Sequence, residues 1–137
     1  MDRNKINLSQ YEKEKLKVLI AIGTPEIYRS KLWILCSGAK KQINENPNYY
    51  NNLKKLSLEV PSLYKNQIEK DIKRTKTLSK EPNFFEKLKN ILICYSIRNS
   101  SIGYCQGFNF IAERLLYVLK DEVKILFILI LNLYFYF

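Results

Sequence analysis

The feature that most constrains the fold is a run of large apolar side chains at helical spacing in the middle of the chain. Phe84, Leu88, Ile91, Leu92 and Tyr95 fall at i, i+4, i+7, i+8 and i+11. This spacing places all five on one face of an α-helix, whereas a half-buried strand would alternate apolar and polar residues. No useful length of chain alternates in that way, and no repeat is present. We therefore predict an all-α fold, an irregular array of helices.

Two helices are predicted in the first 38 residues of the chain. The first begins near Tyr11 and ends at Gly23, with one apolar side formed by Leu16, Leu19 and Ile20. The second begins at Thr24-Pro25-Glu26, because threonine caps helices, proline suits the first helical position and an acid suits the first turn. Its apolar stripe is predicted to comprise Tyr28, Leu32 and Leu35.

The segments on either side of the central helix complete the predicted array. Residues 41–55 are rich in asparagine and contain a proline, which is typical of turns, so a surface loop is predicted there. A helix capped by Ser62 follows, and Asn83 with Glu86 matches the capping box that starts the central helix. A last amphipathic helix would bury Ile111, Leu115, Val118 and Leu119 and leave Glu113 and Arg114 in solvent.

The end of the chain has a different composition. Residues 125–137 are almost wholly apolar, and their composition is β-prone. At 13 residues the run is too short to span a bilayer, which needs about 20. The codons for Val123-Lys124 can form a splice-donor sequence, so we interpret residues 123–137 as an apolar tail, a gene-model artefact translated from an intron. The predicted division is a polar N-terminal segment at 1–15, a helical domain at 16–122 and this tail at 123–137.

The charge of the chain favours certain partners, and its cysteine and histidine content excludes certain kinds of site. The chain carries 23 Lys and Arg against 13 Asp and Glu, a net charge of +10, which favours acidic partners. There is no histidine, and the three cysteines form no CxxC, so neither a metal site nor a thiol nucleophile with its base is expected. Cys105 is expected to be a small packed side chain. Few cysteines and no apolar leader predict a cytoplasmic protein.

Two short stretches carry candidate chemistry. Asp71 and Arg74 lie three apart on a predicted helix, so the carboxylate can fix the direction of the guanidinium. Gln106 lies between Gly103 and Gly107, directly before an apolar helix. An arginine and a glutamine held in this way are the side chains that GTP hydrolysis needs. Taken alone, the Asp71–Arg74 pair is more typical of a solvated helix face than of a functional site.

Three short blocks occur together in a specific order. They are Gly23-x-Pro25 with Arg29 and Trp33, then Ile68-x-x-Asp71-x-x-Arg74-Thr75, then Gly103-Tyr104-Cys105-Gln106-Gly107-x-Asn109. With these blocks the chain resembles the TBC domain family, the GTPase-activating proteins for Rab GTPases. The resemblance runs from about Leu16 to about Asp121 and covers the N-terminal half of the usual domain.

The resemblance implies an all-helical fold and a mechanism with two inserted side chains. Arg74 would enter the nucleotide site of a GTP-bound Rab, and Gln106 would orient the attacking water. Asp71 would hold Arg74, and the supporting positions would be Gly103, Tyr104, Gly107 and Asn109. The chain has no GxxxxGK[ST], so GTP and Mg²⁺ would belong to the partner and the chain would hold no cofactor or metal of its own.

The chain also departs from the family pattern. Lys76-Thr77 stands where the family continues Phe-Pro after the arginine and threonine, and Phe108 replaces a methionine. These departures keep open a non-catalytic helical module that binds a GTPase or a membrane adaptor, with peripheral association at endomembrane surfaces. A nucleic-acid binder rests on net charge alone, so no specific nucleic acid is expected.

Overall fold

The computed structural model describes residues 9–133, with side chains described up to residue 131, and in this range it contains eight α-helices and no strand. The helices are α1 (Gln10–Ile22), α2 (Glu26–Cys36), α3 (Ala39–Glu45), α4 (Tyr49–Glu59), α5 (Lys65–Arg74), α6 (Phe84–Arg98), α7 (Phe108–Leu119) and α8 (Glu122–Leu133). The predicted all-α class is confirmed. None of these helices is both long and apolar enough to cross a bilayer.

The core is built around α6, the helix that apolar spacing predicts most clearly. Its five predicted core residues, from Phe84 to Tyr95, are each at most 3% exposed. Helices α4, α5, α7 and α8 pack around it. The predicted capping box is wrong, because Asn83 has a left-handed backbone (φ 61°) and its side chain caps nothing.

Residues 41–55 are helical, so the predicted loop is wrong. They form most of α3 and the first part of α4, and the turn between the two helices is limited to residues 46–48. The physical reason lies in the apolar residues between the asparagines: Tyr50 and Leu53 are buried, and Ile43 packs against the core. Asn44, Asn51 and Asn52 occupy exposed faces of these helices, and Asn46 and Asn48 lie in the turn.

The first two helices bury different residues from those predicted. Helix α1 ends before Gly23 as predicted, but it buries none of its side chains, and Leu19 is 53% exposed. In α2 the predicted stripe is wrong, because Tyr28 and Leu35 are exposed. Trp33 and Ile34 pack against the core instead, where α2 meets α3 and α7.

Two further expectations are corrected in α5 and α7. Helix α5 begins at Lys65, and Leu63 is 95% exposed before it, although Ser62 still accepts a hydrogen bond from the Tyr64 backbone amide. In α7 the inward face consists of Phe108, Ala112, Leu116 and Leu119. Glu113 is therefore buried and Ile111 exposed, the reverse of the predicted arrangement.

The apolar run near the end of the chain is a helix and belongs to the core. Helix α8 packs against α3, α6 and α7, and its residues 125–129 are buried. The β-prone expectation is wrong for residues 125–133, which are helical. A helix that is buried on several sides can be apolar along its whole length. The domain boundaries at residues 16 and 123 and the intron origin of the tail stay predictions. Its last four residues, 134–137, lie outside the described range.

Candidate functional site

The arginine of the second block is the last residue of α5. Its guanidinium pairs with Asp71, one turn earlier, and the Arg74 side chain remains 55% exposed while that of Asp71 is fully buried. Lys73 and Arg74 both lie in the last turn, where the helix dipole favours cations. The structure thus presents a solvent-accessible guanidinium held by a buried carboxylate, as the spacing predicts.

The Asp71 carboxylate is held by three side chains. Its Oδ2 accepts a hydrogen bond from the Tyr104 hydroxyl at 2.7 Å, and its Oδ1 accepts from Gln67 Nε2 at 3.2 Å as well as from Arg74. Burial raises the pKa of the Asp71 carboxyl, but the hydrogen bonds from Tyr104, Arg74 and Gln67 outweigh it and leave this pKa below its ordinary value. Asp71 is therefore an anion at neutral pH, although it is buried.

A second set of contacts closes this arrangement into a ring. Thr75 Oγ1 donates to the Asp71 backbone carbonyl at 2.7 Å, and Asn109 Nδ2 donates to Thr75 Oγ1 at 2.8 Å. Asn109 Oδ1 lies 3.3 Å from the Tyr104 hydroxyl oxygen. All four residues are buried. We call Asp71, Thr75, Tyr104 and Asn109 the polar ring.

The glutamine of the third block lies on the turn between α6 and α7. Gln106 is exposed, and its side chain makes no hydrogen bond within residues 9–131. Its neighbours in the chain are fixed, since Tyr104 and Asn109 belong to the polar ring and Gly107 (φ 102°) caps the start of α7. A free carboxamide on an anchored turn can donate to and accept from a ligand at the same time.

Gly103 sets the close packing of this turn. Its backbone amide donates to the Asn99 carbonyl at 2.6 Å, and its φ of 65° is one that glycine adopts without strain. A β-carbon at this position would overlap the ring of Tyr64, the residue that precedes α5. The turn that carries Gln106 is therefore packed against the beginning of α5 as well as joined to its end.

The polar ring brings together two side chains that are 32 positions apart in sequence. Arg74 directly precedes Thr75, and Gln106 lies between Tyr104 and Asn109. Because the ring joins the end of α5 to the start of α7, both exposed side chains are attached to residues next to it. A cation and an amide that flank one hydrogen-bonded ring can act on an anionic group of a partner.

The residues of the first block lie elsewhere. Gly23 ends α1, and Pro25 is the residue before α2 rather than its first helical position. The Thr24 side chain caps nothing, but its backbone carbonyl accepts from Arg29 Nε at 2.9 Å. Within residues 9–131, Arg29 forms no ion pair and no contact with the ring of Trp33, which packs against the core instead.

Three contributors to the site carry no role in the sequence prediction. Thr75 closes the polar ring, Gln67 supports the carboxylate and Tyr64 covers Gly103. The periodicity of α5 offers a signal for Tyr64 and Thr75, because they continue the spacing of the buried Ile68 and Asp71 by four positions in each direction. Cys105 is exposed, contrary to the packed role predicted for it, and the three cysteines are free.

The chain matches known proteins in sequence and structure. The family model of the Rab-GTPase-TBC domain matches residues 26–137. The chain belongs to the Rab-GTPase-TBC domain family. It is 40% identical over 114 residues to growth hormone-regulated TBC protein 1-A of Danio rerio, covering 79% of this chain and 32% of that protein. It is 39% identical over 113 residues to the TBC domain-containing protein C4G8.04 of Schizosaccharomyces pombe, covering 79% of this chain and 14% of that protein.

A solved TBC domain has the same fold. The crystal structure of the Chlamydomonas flagellar RabGAP TBC domain superimposes with a TM-score of 0.78 at 29% identity, covering 90% of this chain and 44% of that one. The chain thus spans less than half of that TBC domain structure and about a third of the first of these relatives. The match of the family model includes α8, consistent with the burial of that helix in the core.

Proposed function

We propose that this chain accelerates GTP hydrolysis by a Rab-type small GTPase, supplying Arg74 and Gln106 to the partner's nucleotide. The observation that carries the proposal is the polar ring, which fixes the backbone on both sides of two exposed, chemically suitable side chains. Membership of the TBC family supports the choice of a Rab as partner. The partner would be bound in its GTP state and would contribute both GTP and Mg²⁺.

Each side chain has a physical task in such a reaction. Phosphoryl transfer spreads negative charge over the oxygens of the transferred group, and a positioned guanidinium stabilises that charge, which raises rates by roughly 10³–10⁵. The Gln106 carboxamide can accept a hydrogen bond from the attacking water while donating to a phosphate oxygen. Asp71 and Tyr104 are positioning residues, since they direct Arg74 and anchor the turn without reaching the nucleotide.

The test is single-turnover GTP hydrolysis by a panel of purified Rab GTPases. We expect Arg74→Ala to lower the stimulated rate by roughly 10³-fold and Gln106→Ala by roughly 10²-fold. Arg98→Ala and Gln42→Ala are the matched controls, because they remove an arginine and a glutamine side chain from α6 and α3, away from the polar ring. Thermal melts of each variant separate loss of activity from loss of folding. Stimulation that survives both site changes, or is lost equally in the controls, would contradict the proposal.

A second function is favoured by the residues that follow Arg74. Lys76-Thr77 stands where the family resemblance leads one to expect Phe-Pro. This departure favours a non-catalytic module that binds a GTPase or an adaptor at endomembrane surfaces facing the cytoplasm. It would bind GTP-loaded Rab without faster hydrolysis, an outcome that the same panel distinguishes when binding and hydrolysis are both measured.

A further inference from the structure

Positive charge is concentrated around the proposed arginine. Between residues 65 and 80 the chain has six basic residues and two acidic ones, a net charge of +4 in 16 residues, against +10 for all 137. The basic residues are Lys65, Lys70, Lys73, Arg74, Lys76 and Lys80. This stretch comprises α5 and the segment that follows it, so the charge accumulates at the site itself.

The two acids of this stretch leave the exposed lysines Lys70, Lys73 and Lys76 without an ion pair in the described part of the chain. Asp71 is buried and pairs with Arg74, and Glu69 pairs with Lys89 of α6 at 3.7 Å. Lys70, Lys73 and Lys76 are exposed and form no ion pair with any residue in the range 9–131. Their charges are therefore available to a partner.

The geometry of α5 gathers these cations on one face. Ile68 and Asp71 face inward, whereas Lys70 lies three positions before Lys73 and four before Arg74, so the three are neighbours on the helix surface. Like charges at such spacings destabilise a helix, and within residues 9–131 Arg74 has an acid partner, Asp71, whereas the two lysines have none. Lys76 follows two positions after the end of α5. We call Lys70, Lys73, Arg74 and Lys76 the cationic face.

We propose that the cationic face docks a carboxylate-rich protein surface that borders the nucleotide site of the partner GTPase. This inference rests on the proposed function, because it names the surface of that same partner. A protein surface is favoured over an anionic membrane, since the face includes Arg74 and adjoins the polar ring that anchors Gln106. A bilayer on this face would cover the two side chains that the GTPase has to reach.

The expected consequence concerns association more than chemistry. Charges at the rim of an interface raise the association rate and orient the approach, and salt screens them. Lys70, Lys73 and Lys76 should therefore lower KM and Kd and leave kcat unchanged. Arg74 contributes to the same face but acts in the reaction as well.

The experiment compares two triple variants with the same net charge. One is Lys70→Gln, Lys73→Gln and Lys76→Gln, and the matched control is Lys15→Gln, Lys40→Gln and Lys55→Gln, three exposed lysines of α1, α3 and α4 without ion pairs in the described structure. The probes are purified Rab GTPases loaded with a non-hydrolysable GTP analogue. Binding of the 137-residue chain is measured at about 50 mM and about 300 mM salt.

We expect the first triple variant to bind its Rab about tenfold more weakly at low salt, with a reduced salt dependence and an unchanged kcat. The control should differ by less than about twofold. Equal weakening of both variants would overturn the inference. So would unchanged Rab binding together with lost binding to vesicles of phosphatidylcholine and phosphatidylserine at a ratio of about four to one, which would assign the face to a membrane.

The two proposals fail in different ways. If Arg74→Ala and Gln106→Ala abolish stimulation while the first triple variant behaves like the control, the cationic face is overturned and the proposed function stands. If Rab binding depends on the cationic face but hydrolysis is never stimulated, the catalytic proposal is overturned and the docking surface stands.

Discussion

Arg29 and Arg74 are both exposed arginines on helices, and the chain holds them differently. Arg29 bonds to the carbonyl of Thr24, five residues away, within a region where α1 buries nothing. Arg74 pairs with a buried carboxylate that is itself bonded to Tyr104, 33 positions away. An exposed arginine thus keeps a fixed direction when its acidic partner is buried and is itself bonded to a distant part of the chain. The region of α5–α7 provides such a partner, and the region of α1–α2 does not.

The largest difference in stability between matched variants of the two regions is expected when Gly103 and Gly38 are each replaced by alanine. Both glycines have positive φ, 65° and 74°, but only Gly103 has a side chain in the way, that of Tyr64. Gly103→Ala should lower the free energy of unfolding by about 3 kcal/mol, through backbone strain and overpacking together. Gly38→Ala should cost about 1 kcal/mol from strain alone. Urea denaturation measures both, and equal losses would show that the Tyr64 contact is unimportant.

The next largest effect concerns the buried carboxylate. Asp71→Asn keeps the shape of the side chain and removes the charge that accepts hydrogen bonds from Tyr104, Gln67 and Arg74, so stability should fall by about 2 kcal/mol. Glu14→Gln makes the same chemical change on the exposed surface of α1 and should stay within about 0.5 kcal/mol. A small effect at both positions would remove the energetic distinction between the two regions.

The pH dependence of stability should report the same carboxylate. The folded state lowers the pKa of Asp71 below its unfolded value of about 3.9, so the unfolded state takes up this proton first as the pH falls. Its stabilising contribution is complete well above that value and is lost as the pH falls through the folded pKa. Unfolding free energies measured from pH 6 downward should fall less steeply in Asp71→Asn. Parallel curves would contradict the assignment.

The smallest effect is expected at the start of α1. Ser9 and Glu12 form a capping box, with Ser9 N donating to Glu12 Oε2 at 2.8 Å. Ser9→Ala should weaken the first turn by about 1 kcal/mol, visible as faster exchange of the backbone amide of Glu12. Because α1 buries no side chain, global stability and GTPase stimulation should not change. A lower melting temperature would show that α1 is part of the cooperative unit.

Sequence pattern predicts the parts of the fold that depend on local periodicity. The face of α6 is predicted correctly because residues at helical spacing turn toward the same packed side of the helix. Spacing fails in α2, where Tyr28 and Leu35 are exposed, because it does not show which side of a helix meets the core. Composition fails as well: Asn44, Asn51 and Asn52 lie on exposed helix faces, and the apolar run of residues 125–129 is buried by three other helices.

The candidate site is also predictable only where it depends on residues close together in sequence. The Asp71–Arg74 pair follows from a spacing of three, and the turn of Gln106 follows from its two glycines. The contact of Asp71 with Tyr104 and that of Thr75 with Asn109 cross 33 and 34 positions, and no local rule specifies them. Helical spacing marks Tyr64 and Thr75 as inward positions, but their contacts with Gly103 and Asn109 are found only when the helices are seen packed together.

The most direct measurement is a crystal structure of this chain bound to a Rab GTPase that holds GDP, Mg²⁺ and aluminium fluoride, which imitate the transferred phosphoryl group. We predict that a guanidinium nitrogen of Arg74 and the carboxamide of Gln106 both lie within hydrogen-bonding distance of the fluoride or of the attacking water, with the polar ring intact. A complex in which either side chain points away from the nucleotide, while the Rab is bound through another face, would contradict it.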